Sequence, residues 1–364
     1  MLQKETIAES TGVRSGYLTR ALWFFLLLKL VYVALGLIWN PGSAWLSIFH
    51  RNDSAWYELI ARQWYPSLPP QAGHESVFAF FPLYPLLLRL LMQFTMSYLT
   101  AAILLNMVCG SLWIFLTFRL LQQRGWHERE IFRFLVIFQL LPFHHFLHVF
   151  YTESLFLLLL TALLYFMERR QPVWVFFTAL LLVLCRPTGL IYAATVPLLY
   201  FGSFGPKTIA DWFRRSLPLL GAPAGLLLWM GYLQLHCRDA RAFSHAQSGW
   251  NRAYSWPWEA LFNQGTGSIT ALSVYSIFIL LLAGYWLRHA TWPTKLFHAI
   301  NLLFPLSTGQ VISYPRYVSA NLPLFHQMRD GLNSRYFAII CVLVALVHII
   351  VFYAWVMNIP VWSY

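Results

Sequence analysis

The sequence is poor in acidic residues, in charge of either sign and in cysteine. Its 364 residues include only 13 Asp and Glu, charged residues make up 10% of the chain, and hydrophobic residues make up 59%. A soluble domain of this size needs far more polar surface, so the composition excludes one and predicts a polytopic membrane protein. Long apolar runs in place of short alternating segments argue against a transmembrane barrel and predict an all-α fold.

The scarcity of cysteine and the form of the basic charge exclude further classes. Cys109, Cys185, Cys237 and Cys341 are scattered and have neither metal-binding nor redox spacing, so we expect them to be small core residues. The net charge of +12 comes with no basic tail and no soluble segment that could hold a duplex. Lys and Arg concentrate instead in short connectors, as the positive-inside rule predicts for cytoplasmic loops. Nucleic acid is therefore excluded as a partner, whereas membrane lipids are expected.

Apolar segments follow one another along the whole chain, 1–364, which we interpret as a single membrane domain. Residues 1–20 are polar, and the apolar stretch after them has no small-residue cleavage pattern, so we expect a cytoplasmic N-terminus and an uncleaved first helix. The pattern predicts about 9–11 transmembrane helices. The predicted spans are 21–39, 82–98, 100–120, 131–149, 153–168, 173–185, 188–203, 216–235, 268–287, 295–312 and 336–357.

Two segments, 40–80 and 236–267, are too long and too polar to be simple turns, and they are rich in aromatic residues. Long loops of this kind are usually functional. The positive-inside rule places 168–172, 203–215 and 288–295 in the cytoplasm and both long loops on the other side. Residues 119–133 carry four Arg and two Glu, yet alternation places them outside. We interpret this conflict as a sign that 82–98 does not cross the membrane fully.

Asp53 follows the first predicted span in the segment Arg51-Asn52-Asp53-Ser54-Ala55-Trp56-Tyr57. An acid beside two aromatic residues at a helix exit is either a proton acceptor or a solvated loop residue or helix cap. Glu153 has a similar alternative, since an acid in a first helical turn is favoured by the helix dipole. Arg186 interrupts an apolar run directly before Pro187, which is harder to explain as a surface position.

Polar residues gather on the predicted non-cytoplasmic side. Charged residues at membrane depth are costly and usually line a cavity or pair with one another, so this group predicts a site that binds an anion and moves a proton. Asp53 can take a proton from a hydroxyl. Arg186, Arg252 and Arg316 can bind a phosphate as planar forks and stabilise it as a leaving group. The candidate substrate contacts are Trp56, Tyr57, Tyr84, Glu153, Gln247, Trp250 and Tyr317, whose aromatic members can stack on a sugar or a prenyl chain.

Three histidines, His144, His145 and His148, have a near-helical spacing that a metal site could use. No pair of acids accompanies them, so we interpret them as interfacial histidines and expect no metal.

Six segments, in this order, resemble the PIG-V-like family of polytopic mannosyltransferases, which belong to the GT-C superfamily of polyprenyl-phosphate-sugar glycosyltransferases. They cover roughly residues 50–325. The segments are Asn52-Asp53-Ser54-Ala55-Trp56-Tyr57 with Ile60-Ala61; Phe80-Phe81-Pro82-Leu83-Tyr84-Pro85; Tyr151-Thr152-Glu153-Ser154-Leu155-Phe156; Arg186-Pro187-Thr188-Gly189-Leu190; Phe243, Gln247, Trp250 and Arg252; and Pro315-Arg316-Tyr317.

The resemblance implies a GT-C-type helical bundle with its active site on the non-cytoplasmic face. It implies inverting transfer of a hexose, expected to be mannose, from a polyprenyl-phosphate sugar to a lipid-linked or glycan acceptor. That donor is a co-substrate, and no other cofactor is implied. Asp53 would be the general base. The family pattern more often has an aromatic residue or Arg-Trp before this Asp, where this chain has Arg51-Asn52.

The chain is short for the eukaryotic enzyme that adds the second mannose to a glycosylphosphatidylinositol anchor, and it lacks that enzyme's long insertions. We therefore expect a bacterial relative in the inner (cytoplasmic) membrane and not an enzyme of the endoplasmic reticulum. Two alternatives stay open. A lipid or polyprenyl transporter would show internal inverted repeats, and no clear repeat is found. A non-catalytic subunit of a glycosylation complex would keep the fold without the base.

Overall fold

The computed structural model describes residues 16–42, 44–203, 208–262 and 270–359, without the side chains of 201–203. In these residues the secondary structure is helical and contains no strand, which confirms the all-α prediction. Most of the predicted cytoplasmic N-terminus, 1–20, lies outside the described residues, as does the end of the predicted loop 236–267.

The α-helices of the described residues are numbered here in chain order. They are α1 (Gly16–Trp39), α2 (Asp53–Gln63), α3 (Leu83–Thr95), α4 (Tyr98–Gln123), α5 (Glu128–Leu140), α6 (Glu153–Glu168), α7 (Pro172–Cys185), α8 (Thr188–Ser203), α9 (Ile209–Ser216), α10 (Gly221–Cys237), α11 (Ala242–His245), α12 (Pro257–Phe262), α13 (Ala271–Trp286), α14 (Trp292–Leu303), α15 (Tyr314–Ser319), α16 (Leu322–Phe325) and α17 (Phe337–Val356).

Four helical stretches are long and apolar enough to cross a membrane: α1, α4, α17 and Ile209–Cys237, which contains α9 and α10. The protein is therefore an integral membrane protein. Every predicted span overlaps a helix, but several of these helices are short. The 13 residues of α5 rise only about 20 Å, against about 30 Å of hydrocarbon.

Two predicted spans end early, and each break lies at a proline. Span 131–149 is helical only to Leu140, and Pro142 precedes a 3-10 turn at His144–Leu147. Span 295–312 is helical to Leu303, and Pro305 lies in the 3-10 turn Phe304–Thr308. Proline has no N–H to continue a helix and its ring clashes with the preceding turn, so the apolar run continues while the helix does not.

Helix α4 defines the two ends of the bundle. At its start, the Tyr98 hydroxyl donates to the Ser54 carbonyl at 3.0 Å, next to Asp53. Just after its last residue, Arg124 Nη2 lies 2.7 Å from Glu168 Oε1. We call these the Asp53 end and the Arg124 end. The predicted cytoplasmic connector 168–172 begins at the Arg124 end.

Helix α3 begins and ends at the Asp53 end. Its Tyr84 ring lies 5.0 Å from the Tyr57 ring of α2, and Tyr98, three residues after α3, contacts Ser54. Segment 82–98 therefore does not cross the bundle, as interpreted from the sequence. Residues 119–133 consequently reach the Arg124 end together with Glu168, which removes the conflict in the predicted topology.

A second segment, which hydropathy does not predict, crosses the bundle from the Asp53 end to the Arg124 end. Helix α15 lies at the Asp53 end, where Arg316 contacts Asp53. Helix α16 and the 3-10 turn His326–Asn333 then bring the chain to the Arg124 end, where His326 Nδ1 lies 2.9 Å from Arg124 Nη1. Residues 314–326 are buried almost throughout, so protein and not lipid surrounds this broken, partly polar segment.

The two long loops contain helices and contact each other. Loop 40–80 carries α2, and the described part of 236–267 carries α11 and α12. Gly73 N donates to Ser248 Oγ at 3.3 Å. Gly249 lies so close to the His74 carbonyl oxygen that an added Cβ would be 2.1 Å from it, so only glycine fits. These contacts hold the loops together over the Asp53 end.

The core prediction for cysteine is confirmed at three positions. Cys109, Cys185 and Cys237 are buried, whereas Cys341 is half-buried, and all four are free thiols.

Candidate active site

Asp53 is the first residue of α2. Its backbone N–H donates to the Tyr151 hydroxyl at 3.1 Å, which fixes the start of the helix against the segment before α6. Tyr57, Ile60 and Ala61 bury the inner face of α2. The Asp53 side chain remains 24% exposed. The two alternatives drawn from the sequence, a proton acceptor and a residue at a helix start, therefore do not exclude each other. Asp53 lies in the first turn of α2 and also faces the group of arginines.

Arg316 connects the two acids. Its Nη1 donates to Asp53 Oδ2 at 2.6 Å, and its Nε donates to Glu153 Oε1 at 2.9 Å. Arg186 Nη1 donates to the same Glu153 oxygen at 3.0 Å. The result is a continuous chain of charges, Asp53–Arg316–Glu153–Arg186, in which the Glu153 side chain is 2% exposed. Residues that are far apart in the sequence thus form one charged site.

Aromatic rings hold the two buried guanidinium groups. Arg316 Cζ lies 4.3 Å from the centre of the Tyr151 ring and 5.1 Å from that of Phe146. Arg186 Cζ lies 5.3 Å from the centre of the Tyr317 ring. Ring faces attract cations, and the attraction grows where water is excluded. The arginines therefore keep a fixed orientation inside a low-dielectric site.

The turn between α7 and α8 places Arg186. The residue ends α7 with an extended backbone and is followed by Pro187, which cannot continue the helical hydrogen bonding. A Cβ on Gly189 would lie 2.3 Å from the Leu182 carbonyl oxygen, so the close approach of α8 to α7 requires glycine. The segment Arg186-Pro187-Thr188-Gly189 thus directs the arginine inward.

Arg252 adds a further positive charge at the edge of the site. Its Nη1 donates to Gln247 Oε1 at 3.3 Å and to the Tyr317 hydroxyl at 3.4 Å, and its Nη2 donates to Ser313 Oγ at 3.2 Å. These hydrogen-bond partners of Arg252, taken from the described residues, are neutral side chains. Arg252 therefore keeps an uncompensated positive charge beside Tyr317.

Predicted aromatic contacts form a wall next to Asp53. The rings of Trp56 and Trp250 lie 5.6 Å apart, and Phe80 is 6.0 and 5.8 Å from them. Both tryptophans are half-buried. Tyr84 is fully buried beneath Tyr57, so it supports this wall and does not line the surface of the site.

All eleven predicted site residues belong to this connected region, although their chemical roles stay predictions. Four further contacts were missed as site residues: Tyr151, Phe146, Phe80 and Ser313. Tyr151 and Phe80 lie within the quoted motifs, which is a usable signal. Phe146 and Ser313 carry no such signal in one sequence.

The interpretation of the histidines as interfacial is wrong. His144, His145 and His148 are 2%, 0% and 0% exposed. They pack against aromatic rings, with His148 4.7 Å from Phe25 and His144 4.4 Å from Phe138. Local spacing cannot distinguish an interfacial from a buried histidine. In the part of the chain that the structure covers, no group of His, Cys, Asp and Glu could hold a metal ion.

Comparison with known proteins relies on structure alone, because no protein-family model and no curated protein matches this chain. The crystal structure of the oligosaccharyltransferase of Archaeoglobus fulgidus in the apo form matches with a TM-score of 0.56 at 14% identity. The match covers 98% of this chain and 57% of that one. The chain has the GT-C fold.

Two other structures from this archaeon match less closely. Its oligosaccharyltransferase AglB, in complex with an inhibitory peptide and a dolichol-phosphate, has a TM-score of 0.47 at 14% identity, over 94% of this chain and 56% of that one. The enzyme tethered to an acceptor peptide containing the NVT sequon has a TM-score of 0.46 at 12% identity, over 96% and 56%. The GT-C bundle of this chain thus spans little more than half the length of these proteins. The predicted GT-C-type fold is confirmed, whereas the resemblance to the PIG-V-like family stays a prediction.

Proposed function

We propose that the protein is a glycosyltransferase that moves a hexose from a polyprenyl-phosphate donor to a hydroxyl of a lipid-linked or glycan acceptor. The observation that carries the proposal is the Asp53 carboxylate, partly exposed and 2.6 Å from an arginine that is shared with a buried second acid. An exposed carboxylate beside fixed guanidinium groups combines a proton acceptor with an anion-binding surface.

The charge balance supports a donor with one negative charge. Arg186, Arg252 and Arg316 bring three positive charges to the site, and Asp53 and Glu153 bring two negative ones. The surplus of one positive charge matches the single charge of the phosphodiester in a polyprenyl-phosphate sugar. Guanidinium groups bind such phosphate oxygens through paired N–H donors.

The proposed reaction follows from this arrangement. The donor phosphate takes Arg316 Nη1 from Asp53 Oδ2 and lies between Arg316 and Arg252. The acceptor oxygen attacks the anomeric carbon as its proton passes to Asp53. The bond between that carbon and the phosphate oxygen breaks, and the polyprenyl phosphate leaves with its new charge stabilised by the arginines. Attack opposite the leaving group inverts the anomeric centre.

The charged site lies at one end of the bundle, which favours a transferase over a transporter with a site at the bilayer midplane.

The narrower features of the proposal rest on the sequence. The resemblance to the PIG-V-like family supports mannose as the sugar and the bacterial cytoplasmic membrane as the location. It also supports a polyprenyl-phosphate sugar as co-substrate with no additional cofactor or metal.

Replacement of Asp53 by Asn tests the proposal. Purified protein in proteoliposomes would receive labelled polyprenyl-phosphate mannose and, as acceptor, a lipid extract of cells that lack the protein. We expect Asp53→Asn to lower transfer about 10²- to 10⁴-fold, the usual contribution of a general base. Glu58→Gln is the matched control on α2, because Glu58 pairs with Arg62 at 2.7 Å and not with the site arginines. Full transfer by Asp53→Asn, or an equal loss in both variants, would contradict the assignment.

A further inference from the structure

A non-helical segment passes under the candidate site between α5 and α6. Residues 141–152, here called the strap, contain one 3-10 turn and otherwise irregular backbone. The strap carries Phe146 and Tyr151, the two rings against Arg316. It also supplies the hydroxyl that accepts the Asp53 backbone N–H. The conformation of the strap therefore determines where Asp53 and Arg316 lie.

Three successive carbonyl groups of the strap receive hydrogen bonds from side chains of other helices. Lys29 Nζ, from α1, donates to the His148 carbonyl at 3.2 Å. Asn106 Nδ2, from α4, donates to the Leu147 and Val149 carbonyls at 2.9 and 3.1 Å. Lys29 Nζ also donates to Asn106 Oδ1, which joins the two side chains into one unit.

This unit lies inside the bundle. Lys29 is 5% exposed and Asn106 is 0% exposed. Lys29 Nζ lies 5.6 Å from the ring centres of Phe25 and Phe49. A charged residue in the middle of a membrane helix is costly and is usually kept for a function. Irregular backbone at membrane depth is tolerated only where its polar groups are satisfied by protein.

We propose that Lys29 and Asn106 are positioning residues that clamp the strap, so that Tyr151 holds Asp53 and Arg316 in reacting geometry. The expected effect of the clamp on catalysis rests on the proposed function, whereas its expected effect on the conformation of the strap does not. Neither side chain contacts the acids or arginines of the site, so the clamp acts through Tyr151 and Phe146. Arg186 and Arg252 are bound from other elements, and Glu153 still accepts from Arg316 Nε, so we expect loss of the clamp to affect donor binding less than turnover.

The first experiment measures the strap without substrate. Hydrogen exchange would compare the wild type with Lys29→Met and Asn106→Leu. In the wild type, Phe150 N–H donates to the Phe49 carbonyl at 3.2 Å and His148 N–H donates to the His145 carbonyl at 2.8 Å. We expect these amides to exchange about tenfold faster or more in both variants, while peptides of α7 and α10 are unchanged. Thr117→Val is the control, because Thr117 is buried on the same helix as Asn106 with no hydrogen-bond partner for its hydroxyl among the described residues.

The second experiment separates positioning from folding. For the folded fraction of each variant we expect kcat to fall about 10- to 100-fold, as misplacement of a reacting group does, while the donor KM stays within about threefold. Lys29→Arg keeps the charge and should restore most of the activity. Tyr151→Phe removes the hydroxyl through which the clamp acts, so combining it with Lys29→Met should cost less than the sum of the single effects.

The outcomes separate the two proposals. Unchanged exchange in the strap overturns the clamp. Faster exchange with unchanged kcat, or additive effects with Tyr151→Phe, overturns its positioning role. Failure of the proposed function would appear as a wild-type protein without transfer, and the exchange experiment, which uses no substrate, would still support or overturn the clamp.

Discussion

Replacement of Glu153 by Gln is the sharpest test of how the site is built, because this carboxylate holds two arginines at once. Arg186 and Arg316 both donate to Glu153 Oε1, and their side chains are 9% and 6% exposed. Glutamine has nearly the same shape but no charge. The substitution leaves Arg186 without its acid inside the protein, while Arg316 keeps only Asp53.

The expected cost follows from burial. Removing one partner of a buried ion pair costs about 3–5 kcal/mol, because the remaining charge stays buried without compensation. At about 2 °C for each kcal/mol in a large domain, this lowers Tm by roughly 6–10 °C. Asp53→Asn removes the same charge, but the Asp53 side chain is 24% exposed. Solvent screens that pair, so its loss should cost about 1 kcal/mol and roughly 2 °C.

Scanning fluorimetry of the detergent-solubilised variants at one scan rate measures these shifts. Glu153→Gln combined with Arg186→Met provides an internal check, because it removes the orphaned cation together with the acid. We expect the double variant to recover at least about half of the loss, since most of the cost comes from the buried cation that Glu153→Gln leaves unpaired. The reasoning would be refuted if Glu153→Gln were as stable as Asp53→Asn, or if the double variant were no more stable than Glu153→Gln.

A further prediction concerns the topology. An impermeant maleimide should label Ser248→Cys from the non-cytoplasmic side and Asp330→Cys from the cytoplasmic side, because these exposed residues lie at the two ends of the bundle. Labelling of both from one side would contradict the topology.

Most of the helical framework could be predicted because its signals are local. Apolar runs and their interruptions are visible in one sequence, and basic connectors orient them. The same logic detected that 82–98 does not cross, since the charges of 119–133 could not lie outside. The passage through α15 and α16 escaped prediction because its polar residues are satisfied by neighbours that are distant in the chain. Arg316, for example, needs Asp53 and Glu153 before it can be buried.

The members of the candidate site could be predicted, but their pairing could not. Charge at membrane depth identifies Asp53, Glu153 and Arg316 as residues that need a reason to be there. Nothing local indicates that one arginine bridges both acids, because that geometry depends on the packing of α2, α6 and α15. The burial of the histidines could not be predicted for the same reason. His145 and His148 are fully buried in an aromatic core, which their local spacing does not indicate.

The different burial of the two acids gives the proposed mechanism its order of events. Arg316 is shared by Asp53, which is 24% exposed, and Glu153, which is 2% exposed. A phosphate that approaches from the open side can displace Asp53, which water can solvate, but displacing Glu153 would leave a buried carboxylate unpaired. The donor therefore replaces Asp53 on Arg316 while Glu153 keeps the guanidinium in place. On this mechanism, the donor displaces Asp53 Oδ2 from Arg316, so binding the donor and freeing that oxygen for the acceptor's proton are one step.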